Sequence, residues 1–243
     1  MKRVVIILSI IVIIALIGVG CFFLFFREEP PIIIPSGEPI VQLEPSEKTI
    51  VEITSTITET QRRNVNVQMP TFKNLTDYTF QEVINKKIAD SINPYVNEIA
   101  IVADESISKQ YKYNVTYERY NNGNYVSIVV LQNYYTGGMR SNVWKDTYTI
   151  DVVSNKEMSL ADICDSTNYK EIIVKEVNKQ AKEKDINLVA GQGLVDIPDT
   201  QRFYIKDKKL FIYFEPASIA PYLDGEMHFE MPFKFENEKF IVE

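Results

Sequence analysis

One histidine and two cysteines bound the chemistry open to this chain. His228 is the only imidazole, and Cys21 and Cys164 are the only thiols. A zinc site draws on several Cys, His or carboxylate ligands, and a Cys–His nucleophile pair needs both groups side by side. Neither can be assembled in the ordinary way here. A Ser-His-Asp triad would have to recruit His228, and no serine occupies the Gly-x-Ser-x-Gly turn that exposes a nucleophile. His228 also falls on the polar face of an alternating strand, where a solvated side chain is the simpler reading. Gly191-Gln192-Gly193 lacks the Gly-Lys-Ser/Thr that completes a phosphate loop. No catalytic residue, cofactor or metal is therefore expected, and the chain reads as a non-enzyme. The rival is a wall-polysaccharide hydrolase or deacetylase using carboxylates alone, because 33 acidic side chains supply chance pairs at any separation. Cys164, in Leu160-Ala161-Asp162-Ile163-Cys164, reads as a small core residue without a disulfide partner.

Two stretches rise above composition. Tyr134-Tyr135-Thr136-Gly137-Gly138 joins strand-end aromatics to a glycine pair. It is either a core end with glycines chosen for positive φ, or an exposed aromatic loop that meets a partner. Pro216 to Gly225 is a proline-bounded loop carrying Pro221 and Tyr222. Tyr222 is the better candidate anchor, since a strand-end tyrosine more often belongs to the core.

The elements that must position these residues begin with Val4 to Phe26, an apolar run of 23 residues without charge or proline. As a helix it would span roughly 35 Å, enough for a bilayer core. Lys2 and Arg3 before it place the N-terminus inside and the rest of the chain outside. An uncleaved anchor is expected after a cytoplasmic stub of residues 1–3; a lipoprotein signal ending at Cys21 and a cleaved signal peptide are the alternatives. Residues 27–48 carry five prolines and read as a semi-rigid spacer. Beyond the anchor, 24 basic face 33 acidic side chains, a net charge near −9. That disfavours nucleic acid and suits a basic protein partner.

From Thr49 the period is two. Val51, Ile53 and Ile57 alternate with polar residues as a half-buried strand, followed by another around Val65, Val67 and Met69. Thr79 and Glu82 form a capping box for a helix burying Phe80, Val83, Ile84, Ile88 and Ile92; Asn93-Pro94 starts a second helix or a kink. Tyr111 to Tyr117 alternates, Asn122-Gly123 supplies a turn, and Tyr125 to Tyr135 returns as a largely buried strand. Val143 to Val153 follows. Ser159 opens a short helix, and 168–184 forms a longer one. A hairpin turns at Asp207-Lys208, and a closing strand puts Met227, Phe229, Met231 and Phe233 on one face. The pattern predicts an α+β fold, a mainly antiparallel sheet with about three helices after one N-terminal transmembrane helix. Its halves are expected at 49–142 and 143–243.

The stretches LQNYYTGGMRSNVWKDTYTIDVVSNKEMSLADICDSTNYKEII and FYIKDKKLFIYFEPASIAPYLDGEMHFEMP resemble the PdaC/RsiV-like extracytoplasmic module, over roughly Ile50 to Phe235. That module occurs in a lysozyme-sensing anti-sigma factor and beside peptidoglycan deacetylase domains of Gram-positive bacteria. The resemblance implies a cell-envelope binding module with lysozyme or another wall-active protein as partner, with 49–142 PdaC-like and 143–243 RsiV-like. Met139-Arg140 stands where the family's loop has Ala-His. Met1-Lys2-Arg3 is too short to hold a sigma factor, and no catalytic domain is expected before Glu243. Oligomeric state is left open.

Overall fold

The computed structural model describes residues 44–105, 110–188, 193–221 and 227–242. The apolar run 4–26, most of the spacer, Gly191-Gln192, Tyr222 and Gly225 lie outside these residues. No helix among the described residues is long and apolar enough to cross a membrane.

In chain order the elements are α1 (Pro45–Lys48), β1 (Ile50–Glu59), β2 (Arg63–Lys73), α2 (Tyr78–Glu105), β3 (Tyr111–Asn122), β4 (Tyr125–Tyr135), β5 (Asn142–Asp151) and β6 (Lys156–Glu157). Then come α3 (Leu160–Ile163), α4 (Tyr169–Glu183), β7 (Phe203–Lys206), β8 (Lys209–Phe214), β9 (Met227–Glu230), β10 (Phe233–Glu236) and β11 (Lys239–Val242). Strands β1 to β6 make one sheet in sequence order, β7-β8-β9 a second, and β10-β11 a hairpin. Every pairing is antiparallel except β2 with β3, which are parallel and joined by α2. The expected α+β, mainly antiparallel class is what the chain adopts. Among the described residues there are four helices rather than three, the extra one being α1.

Two cores flank the larger sheet. One lies between that sheet and α2, filled by Ile84, Ile88, Ile92 and Ile99 against Val65, Val67, Phe72, Tyr113, Ile128 and Ile150. The other gathers α4, the second sheet and the β10–β11 hairpin around Ile173, Val177, Ile205, Ile212, Phe229 and Phe240. Strand β4 serves both: Val126, Ile128 and Val130 enter the first, Tyr125 the second. A strand covered on both faces reads as a continuous apolar run rather than an alternation, as Ile128 to Leu131 does.

Several local expectations give way to packing. Asp77 caps α2, its Oδ1 accepting from Phe80 N at 3.0 Å, so Thr79 and Glu82 already lie within the helix. A carboxylate three residues before that N–H is a favoured N-cap acceptor and starts the helix two residues earlier. The helix runs through Pro94 without restarting. Proline in a helix interior costs about 3 kcal/mol, whereas each fully buried isoleucine contributes roughly 1.5–3. The stripe from Ile84 to Ile99 therefore outweighs it. Strand β1 is not half-buried; Ile53 and Ile57 are exposed, because no described element covers that end of the sheet. The β3–β4 turn is Gly123-Asn124 rather than Asn122-Gly123. Asn122 is fully buried instead; its amide donates to Ile205 O at 3.0 Å and accepts from Lys208 N at 2.7 Å. Gly123 has φ +60°, and a Cβ there would meet Glu238 Oε1 at 2.3 Å. Asp207 and Lys208 have φ of 53° and 59°, the left-handed pair that a tight hairpin turn requires. The closing strand stops at Glu230, while Phe233, which the sequence reading placed on it, opens a separate hairpin of β10 and β11.

The end of the proline-rich stretch belongs to the fold. Gly123 N donates to Glu44 Oε2 at 2.6 Å, Ser46 N to Gly123 O at 3.0 Å, and Arg119 Nη2 to Thr49 O at 2.7 Å. The division drawn between Asn142 and Val143 falls inside a continuous ladder, since β5 pairs with β4 from Asn142 opposite Tyr134 to Asp151 opposite Tyr125. The change of core comes later, between β5 and α3.

Candidate functional site

Alternation along β5 puts Trp144, Asp146, Tyr148 and Ile150 on one face. Tyr148 and Ile150 belong to the first core, so Asp146 is a carboxylate at a core-facing position. The same holds for Gln132 on β4, whose neighbours on that face, Val130 and Tyr134, are core residues. Buried polar groups persist where they are hydrogen-bonded, and here they bond to one another. The Tyr113 hydroxyl donates to Gln132 Oε1, and Gln132 Nε2 donates to Asp146 Oδ2 at 2.5 Å. Arg202 closes the chain, its Nη2 lying 2.8 Å from Asp146 Oδ1.

Arg202 arrives from the loop before β7 and reaches Asp146 at an open edge. Strand β6 pairs only Ile150 and Asp151, so no described strand lies beside the outer edge of β5 around Lys145. Arg202 Nη1 donates to Lys145 O at 2.9 Å, and Lys145 N donates to Tyr213 Oη at 3.0 Å. Arg202 also pairs with Glu215, the first residue of the loop after β8. Burial pushes the Asp146 carboxyl above its usual range, opposed by Arg202 and by the Gln132 amide. The Asp146 side chain is only 13% exposed and that of Arg202 34%.

Three clefts converge on Arg202. One of about 430 Å³ is lined by Pro94, Tyr95, Trp144, Asp146, Arg202 and Glu215. Another of about 400 Å³ runs along β5 past Lys87, Tyr148 and Glu157. The third, about 510 Å³, includes Tyr213, Glu215, Ser218 and Ile219. Behind the first, Tyr95 packs against Trp144 at 5.0 Å, Tyr134 at 5.4 Å and Tyr113 at 5.7 Å between ring centroids. Tyr95 and Trp144 are half-buried, each with one side on this aromatic cluster and the other on the cleft.

The residues nominated from sequence divide. Tyr134 is 6% exposed and is a core residue, so the structural reading of its loop holds for it. Burial and the neighbouring Glu98 push its phenol pKa up. Tyr135 is half-buried and borders a shallow cleft with Lys112, Asn114 and Ser141. Gly137 has φ +79°, which explains a glycine there, while Gly138 has open space around its Cα. Met139 is 99% exposed. Pro216 is half-buried in a turn where Ser218 N and Oγ both donate to Glu215 O, at 3.1 and 2.6 Å. Pro221 is exposed, directly after the buried Ala220. His228 is exposed on β9 and Cys164 is buried, as expected. Among the described residues no three His, Cys, Asp or Glu side chains group closely enough to hold a metal ion. Sequence reasoning missed Arg202, Asp146, Trp144 and Tyr95. The legible signal was Gln132 and Asp146 interrupting apolar positions of two adjacent strands.

Residues 57–142 match the family model described as Deacetylase PdaC, and residues 161–234 match the one described as Protein of unknown function (DUF3298). The two matches fall on either side of the β5–β6 region where the core changes. The crystal structure of a DUF3298 family member from Bacteroides fragilis is similar over 78% of this chain and 92% of its own, with a TM-score of 0.57 at 14% identity. A DUF3298 family protein from Pseudomonas aeruginosa is similar over 76% and 89%, with a TM-score of 0.52 at 13% identity. At such identities the likeness is one of fold. No curated protein matches the chain. The resemblance read from the sequence stands: a PdaC-like region is followed by a DUF3298-like one.

Proposed function

From this pairing of a PdaC-like region with a DUF3298 domain, we propose a binding module of the cell envelope, held by residues 4–26 as a membrane anchor with the remainder outside. Its partner is a protein, and lysozyme is the first class to test. The observation that supports protein binding is the cleft beside Arg202. Tyr, Trp and Arg dominate binding energy at protein interfaces, above all where a ring is half-buried and its free side sits in a pocket. Tyr95, Trp144 and Arg202 have that character. A net charge of −7 favours a basic partner through association rate more than through affinity. Pro216, Pro221, Tyr222 and Gly225 form the proposed second contact, since their loop starts at the Glu215 that Arg202 holds. Tyr135, Gly137 and Gly138 are proposed as rim.

Calorimetric titration of the full chain with lysozymes of several classes tests this. Binding is expected, weakened by about 2 kcal/mol or more in Trp144→Ala and in Tyr222→Ala. Absence of heat with every lysozyme removes this partner class. Binding that both variants leave intact removes this surface. A second reading, deacetylation or hydrolysis of wall polysaccharide, rests on the name of the matched model and on Asp146 as a carboxyl with a raised pKa in a cleft. Release of acetate or reducing ends from peptidoglycan, lost in Asp146→Asn, would favour it.

A further inference from the structure

The two borders of the larger sheet are finished differently. At β5 the side chains of Arg202 and Tyr213 bond the outward-facing C=O and N–H of Lys145. At the other border β1 pairs with β2 along its whole length, from Ile50 opposite Lys73 to Glu59 opposite Asn64, and no described strand lies beyond it. Alternate residues of β1 therefore turn N–H and C=O groups outward, which invites a further strand. Protected edges are short, bulged, or carry lysine or proline. Strand β1 has ten residues, an unbroken register and only Glu52 and Glu59 as charges. Ile53 and Ile57 stand on one of its faces, 52% and 73% exposed. The segment holding them, Ile53-Thr54-Ser55-Thr56-Ile57, reads the same in both directions.

We propose that this edge is a self-association surface: β1 of one copy adds antiparallel to β1 of a second, across a two-fold axis at Ser55. That register sets Ile53 against the second copy's Ile57 and Thr54 against its Thr56, each pair occurring twice. Glu52 faces Thr58 and Val51 faces Glu59, so no like charges oppose. A slip that moves the axis between Ser55 and Thr56 brings Glu52 opposite Glu59 and separates the isoleucines. Like charges directly opposed on adjacent strands are destabilising, whereas β-branched pairs are favourable. Charge and apolar pattern thus select one register. The interface is isologous, with the main chain supplying affinity and the side chains register.

Cross-linking in the full chain, with Cys21→Ser so that buried Cys164 is the one native thiol left, tests the pairing. Directly opposed residues of an antiparallel pair have Cα atoms about 4.5–5.5 Å apart, within disulfide range. Ser55→Cys should therefore give a disulfide dimer on mild oxidation. Thr58→Cys is the control, because its counterpart in the second copy lies about 20 Å away, and it should stay monomeric. Adding Ile57→Lys to Ser55→Cys should reduce the dimer at least tenfold while leaving the melting midpoint unchanged. A Ser55→Cys chain that stays monomeric, whether its edge is bare or covered by residues 1–43 or another protein, overturns the proposal. So does equal cross-linking at both positions, which reports collision rather than register.

Discussion

Asp146 shows how a single charged residue can be both a packing liability and the centre of a surface. Its carboxyl titrates above the usual range because it is buried, and Arg202 offsets part of that penalty. A raised folded-state pKa contributes stability that is complete below the unfolded value and lost as pH rises through the folded one. Replacing Arg202 should deepen that loss. Breaking a buried pair costs about 3–5 kcal/mol, but Arg202 is a third exposed, so Arg202→Ala should cost about 2 kcal/mol at pH 7. Urea midpoints at pH 7 and near pH 4 should show the gap from the parent chain narrowing as Asp146 protonates. Asp162 should behave in the opposite sense. Burial raises its pKa, but hydrogen bonds from Lys156 and Ser159 outweigh this and hold it at about 2. Its stabilisation is present above 3.8 and lost as pH falls towards 2, so Asp162→Asn should flatten acid destabilisation in that window. Tyr134 and Tyr135 supply a neighbouring contrast. Tyr134→Ala empties a core position and should cost about 3–5 kcal/mol, whereas Tyr135→Ala should shift the melting midpoint little.

At the scale of elements, α2 carries the sharpest disagreement between local signal and outcome. Asn93-Pro94 has the sequence of a helix start, yet the helix continues through it because Ile92 and Ile99 lie on the same buried stripe as Ile84 and Ile88. The proline removes one main-chain donor, leaving the Asp90 carbonyl without its helical partner. Pro94→Ala should restore that bond and raise stability by about 1 kcal/mol in a reversible denaturation experiment. If Pro94 were the first residue of a separate helix, the same change would be neutral or slightly unfavourable. Strand β1 is the converse case. Its alternation is strong, but alternation specifies only that two faces differ, and no described element covers either face around Ile53 and Ile57.

For the whole molecule, β4 and β5 tie the two cores together. Ile205 N donates to the buried Ser127 Oγ at 3.0 Å, and Ser127 bonds Thr149 at 2.8 Å, joining the second sheet to the first through hydroxyls. Residues 44–243 should therefore unfold in one cooperative transition. A fragment of 44–142, which keeps β4 but loses its partner β5, should show no cooperative melting by circular dichroism. Two resolved transitions in the longer chain would argue for independent halves instead. Buried Cys164, its thiol pushed up to about 12 by burial, should resist thiol reagents at pH 8 until that same transition, in a chain with Cys21→Ser.

Apart from a family likeness carried by matched stretches, the sequence by itself determined the α+β class, most of the strands, the helices α2 to α4, the isolation of Cys164 and the Asp207-Lys208 turn. These rest on period, composition and local turn chemistry, which act over a few residues. Only the tertiary structure decided which faces are covered. It moved Tyr134 from candidate anchor to core, exposed Ile53 and Ile57, carried α2 through Pro94, and recruited Glu44 to the fold through Gly123 and Lys208. It also brought Arg202 to Asp146 across 56 positions of sequence. No local pattern encodes such a contact, because it depends on where β5 leaves its edge open and on which loop passes that edge.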